Sequence, residues 1–450
     1  MKHSILFIPA SIRSHIVPSF YIANLLAGEY EITYAVTNNI LKELVEANSF
    51  KSINITGYKV LLGMEMQYAV TELKMKPTFL NYVKKLKNKD LANFRKNELK
   101  TICEKVNPKA IYIDIFSSTD YVLLKGLNYT QNLFFFNPMP STYRVKNYPI
   151  VSDAEFVKTK NFETKYPLPK PKLTFKNWIL DFKKSYISKI VYECDIQTLR
   201  ENNLDISDLA ENNEFTIGFK NVPEFVLIPL EFEYSEEVKQ PWQYYLGLCT
   251  YENRKETEQD NEFSKKWPTI LVNSKEKKII YCSFGTFYTG SDRTLLSFLE
   301  NLIVVIESLK DCILIVSVNT YVIQTLQNKI SKTENIHFFK RVPQLEVLKH
   351  SNVFITHGGM GSIKEAIEYK VPMLVYPLDS HYDQNGNAFK IETKNLGLKG
   401  NFKFEKKSDL ELKLKTLLKN EEFRYKISDF YKQCDLNYSQ NSSTLQHFIR

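Results

Sequence analysis

Two separate series of short apolar runs alternating with helical segments limit this chain to few architectures. In the first series, residues 4–8 form a continuous apolar run of the kind buried on both faces of a sheet. Residues 10–15 read as a polar loop, and Pro18 suits the first turn of a helix. Phe20, Ala23, Leu25 and Leu26 share a helical face that Gly28 closes, and residues 31–36 form a second strand. A helix between consecutive strands makes them parallel. Residues 110–114, after Pro108, and 132–136, before Asn137-Pro138, extend the series. From Pro241 to Phe263 the pattern dissolves into Glu, Asn, Lys and Gln, as a linker does. The second series follows at 278–283, 312–318, 353–356 and 374–377. The expected fold class is α/β with two Rossmann-like halves. Residues 1–240 form the first, 241–270 the linker and 271–425 the second, and a helical segment at 426–450 returns to the first. No repeat of solenoid period is present.

Composition removes several classes of function. A chain of 450 residues with 43% hydrophobic and 25% charged residues is globular. The net charge of +9 is concentrated between Lys158 and Lys189, where nine lysines face only Glu163 and Asp181. A patch that local fits a docking surface better than a nucleic-acid groove, and no zinc-finger or RNP-like spacing argues for nucleic acid. An anionic membrane face is one such surface. Its aromatic residues Trp178, Phe182 and Tyr186 fall at helical spacing, and a solvated, packed helix is the plainer account. The six cysteines form no CxxC pair, which fits free thiols in a reducing compartment. Arg13 and His15 cut short the one run that could start a signal peptide, and no stretch is long enough to span a membrane. The expectation is a cytoplasmic protein, with peripheral contact at the inner membrane face as the variant that the lysines keep open.

Glycine is scarce, at 14 residues, yet Gly358, Gly359 and Gly361 fall within His357-Gly358-Gly359-Met360-Gly361-Ser362. This motif lies between a strand and a helix expected to begin near Ile363. Strand, glycine turn and helix together present free N–H groups and a positive dipole end to a phosphate. His357 and Ser362 would add side-chain donors, and Glu365, a turn further on, an acceptor for a ribose hydroxyl. A tight structural turn capped by Ser362 would use the same residues. There is no GxGxxG, no glycine in the first strand–helix turn, no P-loop and no DxD pair. Dinucleotide oxidoreductases, P-loop NTPases and a metal-held nucleotide are therefore disfavoured.

The stretch from Arg341 to Gln384 resembles the signature region of family 1 glycosyltransferases, the UDP-sugar-dependent enzymes of GT-B fold. The matching residues are Pro343-Gln344, Leu348, His350, Phe354, His357-Gly358-Gly359, Ser362, Glu365, Val371-Pro372, Pro377 and Asp383-Gln384. Ser14-His15, Pro18 and Tyr112-Ile113-Asp114 resemble the segments bearing that family's catalytic His and its partner Asp. Tyr281 and Ser283-Phe284-Gly285-Thr286 resemble the strand whose loop touches the diphosphate. The resemblance implies two Rossmann-like domains facing each other across a cleft, a UDP-sugar donor, a small lipophilic acceptor and no metal or other cofactor. It implies donor contacts at Ser283, Gly285, Thr286, Arg341, Val342, Gln344, His357, Gly359, Met360, Gly361, Ser362, Glu365, Asp383 and Gln384. Arg341 stands where plant members place Trp, so a guanidinium plane would meet the base. Gly361 replaces a common Asn, Lys370 a usual Gly, and the His357–Asp383 spacing is longer than in plant members.

Inverting glycosyl transfer needs a base for the acceptor hydroxyl, a fixed donor and stabilisation of the departing diphosphate. His15 follows the first strand and Asp114 ends another, and the carboxyl ends of parallel strands border the crevice of an open α/β sheet. An imidazole can take the proton, and a carboxylate on its other nitrogen would hold its tautomer. Asp120 competes with Asp114 for that place, and Asp379 and His381 compete with Asp383 as sugar contacts. Met64, Met66, Tyr68, Phe135, Phe136, Met139 and Tyr143 would line an acceptor pocket if they are not core. The reading is transfer of a hexose, glucose first, to a hydroxyl of a phenol, polyketide, terpenoid or pigment. Glycolipid synthesis at the membrane, or a non-catalytic nucleotide-sugar-binding partner protein, are the alternatives.

Overall fold

The computed structural model describes residues 2–129, 132–156, 180–257, 259–285, 293–330, 334–379, 381–438 and 441–449. Its chain begins with β1 (His3–Ile8), α1 (Arg13–Leu26), β2 (Tyr30–Val36), α2 (Asn39–Ala47) and β3 (Lys51–Asn54). After β4 (Pro108–Asp114) and β5 (Leu133–Asn137), the short strands Glu224–Val226 and Gln243–Tyr245 complete a seven-stranded sheet. All its pairings are parallel, in the order β3-β2-β1-β4-β5 and then the two short strands. An aromatic ladder pins the central register. Phe7 of β1 stacks on Tyr34 of β2 at 4.8 Å and on Tyr112 of β4 at 4.9 Å, each its direct cross-strand partner.

The second sheet has six parallel strands, in the order Ile336–Phe339, Cys312–Ser317, Lys278–Ser283, Ser351–Thr356, Met373–Val375, Gly397–Lys399. Tyr281 stacks on its partner Phe354 at 4.9 Å, so the same device recurs. In both sheets the strand order reverses beside the first strand of the series. Helices cover both faces, which is why the central strands read as unbroken apolar runs.

Four local expectations change. His15 lies in the first turn of α1, because a tight turn from Ile12 N–H to Ala10 O (2.7 Å) lets the helix start at Arg13. Pro18 is consequently inside the helix, which ends at Leu26 before Gly28. The glycine-motif helix starts at Met360, because Gly358 at φ +87° completes the turn within the motif. The stretch from 241 onward is also more structured than its composition suggests. Strand Gln243–Tyr245 belongs to the first sheet, and helix Asn261–Asn273 buries Phe263, Trp267 and Ile270 in the second core. This strand lacks an apolar pattern because Gln243 is buried as a polar residue, its amide donating to Glu224 at 2.9 Å.

At the carboxyl end, helix Glu422–Asn437 packs Ile427 and Phe430 on the second core. Helix Asn441–Ile449 crosses back and buries Leu445 and Ile449 against the first sheet. Asn441 Nδ2 donates to Leu246 O (2.6 Å) and Tyr21 OH (3.0 Å) there. Most of the segment from Lys158 to Lys189, with Trp178, lies outside the described residues. Among those described, no helix is long and apolar enough to cross a membrane. All six cysteines are free.

Candidate active site

Each sheet has its strand-order reversal at the place where a crevice opens beyond the strand ends. In the first sheet this point lies between β1 and β4, and it holds His15 and Asp114. His15 Nδ1 lies 2.9 Å from Asp114 Oδ2. Asp114 is fully buried, and its other oxygen accepts the Phe116 N–H at 2.9 Å. With both carboxylate oxygens fixed, Nδ1–H is the donor and Nε2 is left as the acceptor. Asp120 is committed elsewhere. Its two oxygens take Arg95 Nε (2.9 Å) and Nη2 (2.7 Å) in a buried bidentate pair. Lys59, which the sequence did not single out, donates to Phe116 O beside this dyad, and burial pulls its pKa down.

In the second sheet the reversal lies between Lys278–Ser283 and Ser351–Thr356, and it brings Gly285 to His357. A Cβ on Gly285 would come within 2.7 Å of His357 Cε1, and one on Gly359 within 2.6 Å of Nε2. The imidazole thus fills the gap between two glycines, one of them (Gly285) at φ +72°. Burial lowers the His357 pKa to about 4, against a weaker opposite effect of the Ser283 backbone. The ring is therefore neutral in the fold. The helix Met360–Glu368 begins at Gly359 with no side-chain cap, so its first N–H groups point past Gly361 without an internal partner. Nothing lies within 4 Å of a Cβ on Gly361.

A third cluster joins Gln344, Ser362 and Glu365. Gln344 Nε2 donates to Ser362 Oγ (3.2 Å) and Glu365 Oε2 (2.6 Å), while Tyr281 OH reaches Gln344 Oε1 at 3.3 Å. Asp383 is buried and accepts Asn387 Nδ2 at 2.9 Å. Burial raises its pKa, and the nearby His15 is among the weaker influences that lower it. The Asp383 carboxyl thus lies within electrostatic reach of His15 in the first domain. Asp379 and His381 pair with each other at 2.9 Å near the surface and do not take its place.

The sequence candidates therefore fall into three groups at two facing switch points. These are His15 with Asp114 and Asp383, then Gly285 with His357 and Gly359, and lastly Gln344 with Ser362 and Glu365. Others are displaced. Val342 and Met360 bury their side chains in the second core, leaving only backbone groups for a ligand. Arg341 precedes the helix that Gln344 begins, and its carbonyl is held by Asp260 N at 3.1 Å. Gln384 spends its side-chain carbonyl on Leu378 N (2.9 Å) and Asp379 N (3.0 Å), so only its amide donors remain for a sugar. Ser283 ends its strand as expected, and Thr286 lies outside the described residues. Phe135, Phe136, Met139 and Tyr143 are core. The aromatic side chains at the dyad are instead Phe116, 5.0 Å from the His15 ring, with Phe215 and Tyr382 closing on it at 6.3 and 6.2 Å. Their loops carry no periodic signal, so only the fold could reveal them.

The depressed pKa of His357 gives a test of the packing. His337 is likewise lowered to about 4 by burial. Below pH ~6.5 an unfolded imidazole binds a proton that these two refuse in the fold. Stability should therefore be flat in this contribution above that pH and fall as pH drops towards 4. Urea midpoints measured from pH 7 to 4 check this, and His357→Gln should flatten part of the slope.

Residues 257–433 match the family model described as UDP-glucoronosyl and UDP-glucosyl transferase. The mouse protein UDP-glucuronosyltransferase 3A2 is 34% identical over 99 residues, covering 22% of this chain and 18% of its own length. The chain thus spans less than a fifth of the length of that relative. A glycotransferase of kitacinnamycin superposes with TM-score 0.66 at 17% identity, covering 100% of both chains. The structure of UDP-glucose:anthocyanidin 3-O-glucosyltransferase in complex with UDP gives 0.64 at 14% identity, covering 100% of this chain and 99% of the other. The fold is therefore GT-B, with two Rossmann-like domains across a cleft.

Proposed function

We propose that this chain, whose residues 257–433 match the UDP-glucoronosyl and UDP-glucosyl transferase model, moves a hexose from a UDP-sugar to a hydroxyl of a lipophilic small molecule with inversion. The observation that carries this reading is the buried His15–Asp114 hydrogen bond, placed opposite an uncapped glycine-rich helix start. His15 Nε2 takes the proton of the acceptor hydroxyl, and Asp114 stabilises the imidazolium that forms. The freed oxygen attacks the anomeric carbon as its bond to the diphosphate breaks. Attack from the far face inverts the configuration. The N–H groups at 359–362 and the His357 ring receive the charge that develops on the diphosphate. Gln344, Ser362 and Glu365 hold the ribose side of the donor, and Asp383 with Gln384 the sugar hydroxyls.

The names of the similar proteins support UDP as the nucleotide and glucose or glucuronate as the sugar, and glucose is the first choice. The wall of Phe116, Phe215 and Tyr382 at His15 supports an apolar, ring-bearing acceptor. These side chains are partly exposed and come from both domains, unlike core aromatics. Helix N–H groups and a neutral imidazole would meet the diphosphate charge without a metal. Excess EDTA should then change the rate of UDP release from UDP-glucose by less than about twofold. A rate restored only by added magnesium would contradict that part of the reading.

A further inference from the structure

The polar segment between the two sheets is strapped to both. On the first-domain side, Asn48, at the end of α2, donates to Lys255 O (3.0 Å) and accepts from Lys255 N (2.8 Å). Arg13, two residues before His15, pairs with Glu256. On the second-domain side, Thr250 Oγ1 donates to Glu368 Oε2 (2.7 Å), one turn beyond Glu365 on the same helix. Asp260 takes Lys340 N–H (2.8 Å) and gives its own N–H to Arg341 O (3.1 Å). Arg254 sits between these anchors. Its Nη1 donates to Glu365 Oε1 at 2.6 Å and its Nε to Glu256 Oε1 at 2.7 Å, with only 7% of its side chain exposed.

Resting on the reading that Glu365 receives the donor's ribose, we propose that Arg254 of the interdomain strap is a positioning residue for that ribose. It acts by fixing Glu365 and does not touch the donor. A carboxylate offers about four lone-pair sites. Arg254 occupies one on Oε1 and Gln344 one on Oε2. The remaining two face the hydroxyls of a vicinal diol. Gln344 is neutral, so the charge-assisted bond from Arg254 is the stronger of the two that orient this nearly buried carboxylate. Glu256 fixes Arg254 in turn, and Arg13 fixes Glu256. The donor's ribose is thereby joined through four side chains to the helix that carries His15.

Calorimetric titration of the full chain with UDP and with 2′-deoxy-UDP tests the proposal, because it reads recognition of the diol directly. Wild type should prefer UDP. Arg254→Met should weaken UDP binding by about ten-fold, the scale of one charge-assisted hydrogen bond, and 2′-deoxy-UDP binding much less, so that the preference narrows. Arg254→Lys offers one point charge that cannot hold Glu365 and Glu256 together, and it should narrow the preference less. If Arg254→Met does not fold, an unchanged preference in Arg254→Lys overturns the proposal. Glu365→Gln separates the two levels. If it keeps both UDP affinity and the diol preference, the ribose reading fails. If it loses them while folded Arg254→Met keeps the wild-type preference, the ribose reading stands and the role of Arg254 is overturned.

Discussion

His15→Ala should lower the rate of hexose transfer to an ordinary hydroxyl by about 10²–10⁴-fold, the usual contribution of a positioned general base. UDP affinity should stay near wild type, because the ring sits in the first domain while the expected nucleotide contacts lie in the second. Asp114→Asn should show a smaller loss. An asparagine at that position has one acceptor oxygen, for which Phe116 N–H and His15 Nδ1–H compete, so the productive tautomer is held less well, and it no longer balances the imidazolium charge. Steady-state rates at saturating donor, with UDP binding measured on the same preparations, separate the base from the binding site. Wild-type turnover in His15→Ala would remove this residue from the mechanism.

Lys390→Met should destabilise the protein by about 3–5 kcal/mol, the range for removing one partner of a buried ion pair. Lys390 Nζ lies 2.7 Å from Glu233 Oε2, and each side chain is only 1% exposed. The ammonium also stands over the Tyr234 ring at 4.6 Å. Glu233 further accepts Ser141 N (2.7 Å) and Tyr245 OH (3.1 Å), so it is built into the first domain. Lys390 lies on helix Gln384–Thr393, directly after Asp383. The pair therefore latches the helix that follows the proposed sugar contacts to the opposite domain. Adding Glu233→Gln should recover much of the loss, because the amide still accepts from Ser141 and Tyr245 without a buried charge. Urea unfolding of both variants checks this, and equal destabilisation in the two would mean that charge burial is not the cause.

Much of this arrangement was legible in the sequence because strand alternation and glycine placement are local signals. The β1 and β4 runs place His15 just beyond one strand and Asp114 at the end of its neighbour, and a parallel sheet then has few ways to keep them apart. The glycine motif stood out because glycine is scarce elsewhere. The failures share a cause. Gln243 and Glu224 are buried polar residues, so a strand that pairs through them lacks the apolar pattern. Arg254, Glu256 and Lys59 read as solvated linker or surface charge, because their partners lie far away in sequence. Val342 and Met360 matched the family pattern by position, yet their side chains face the core. A motif fixes which backbone is near a ligand, and packing decides which side chains reach it.

The most direct test of the account incubates the purified full chain with UDP-glucose and a panel of phenols and lipophilic alcohols. UDP release and glucoside formation are followed by mass spectrometry, and the anomeric configuration of the product by NMR. The account predicts a hexose-bearing product of inverted configuration, UDP release in step with it, and loss of both in His15→Ala. Tight UDP binding with neither transfer nor slow hydrolysis of UDP-glucose above the His15→Ala background would contradict it, and would make the chain a nucleotide-sugar-binding protein instead.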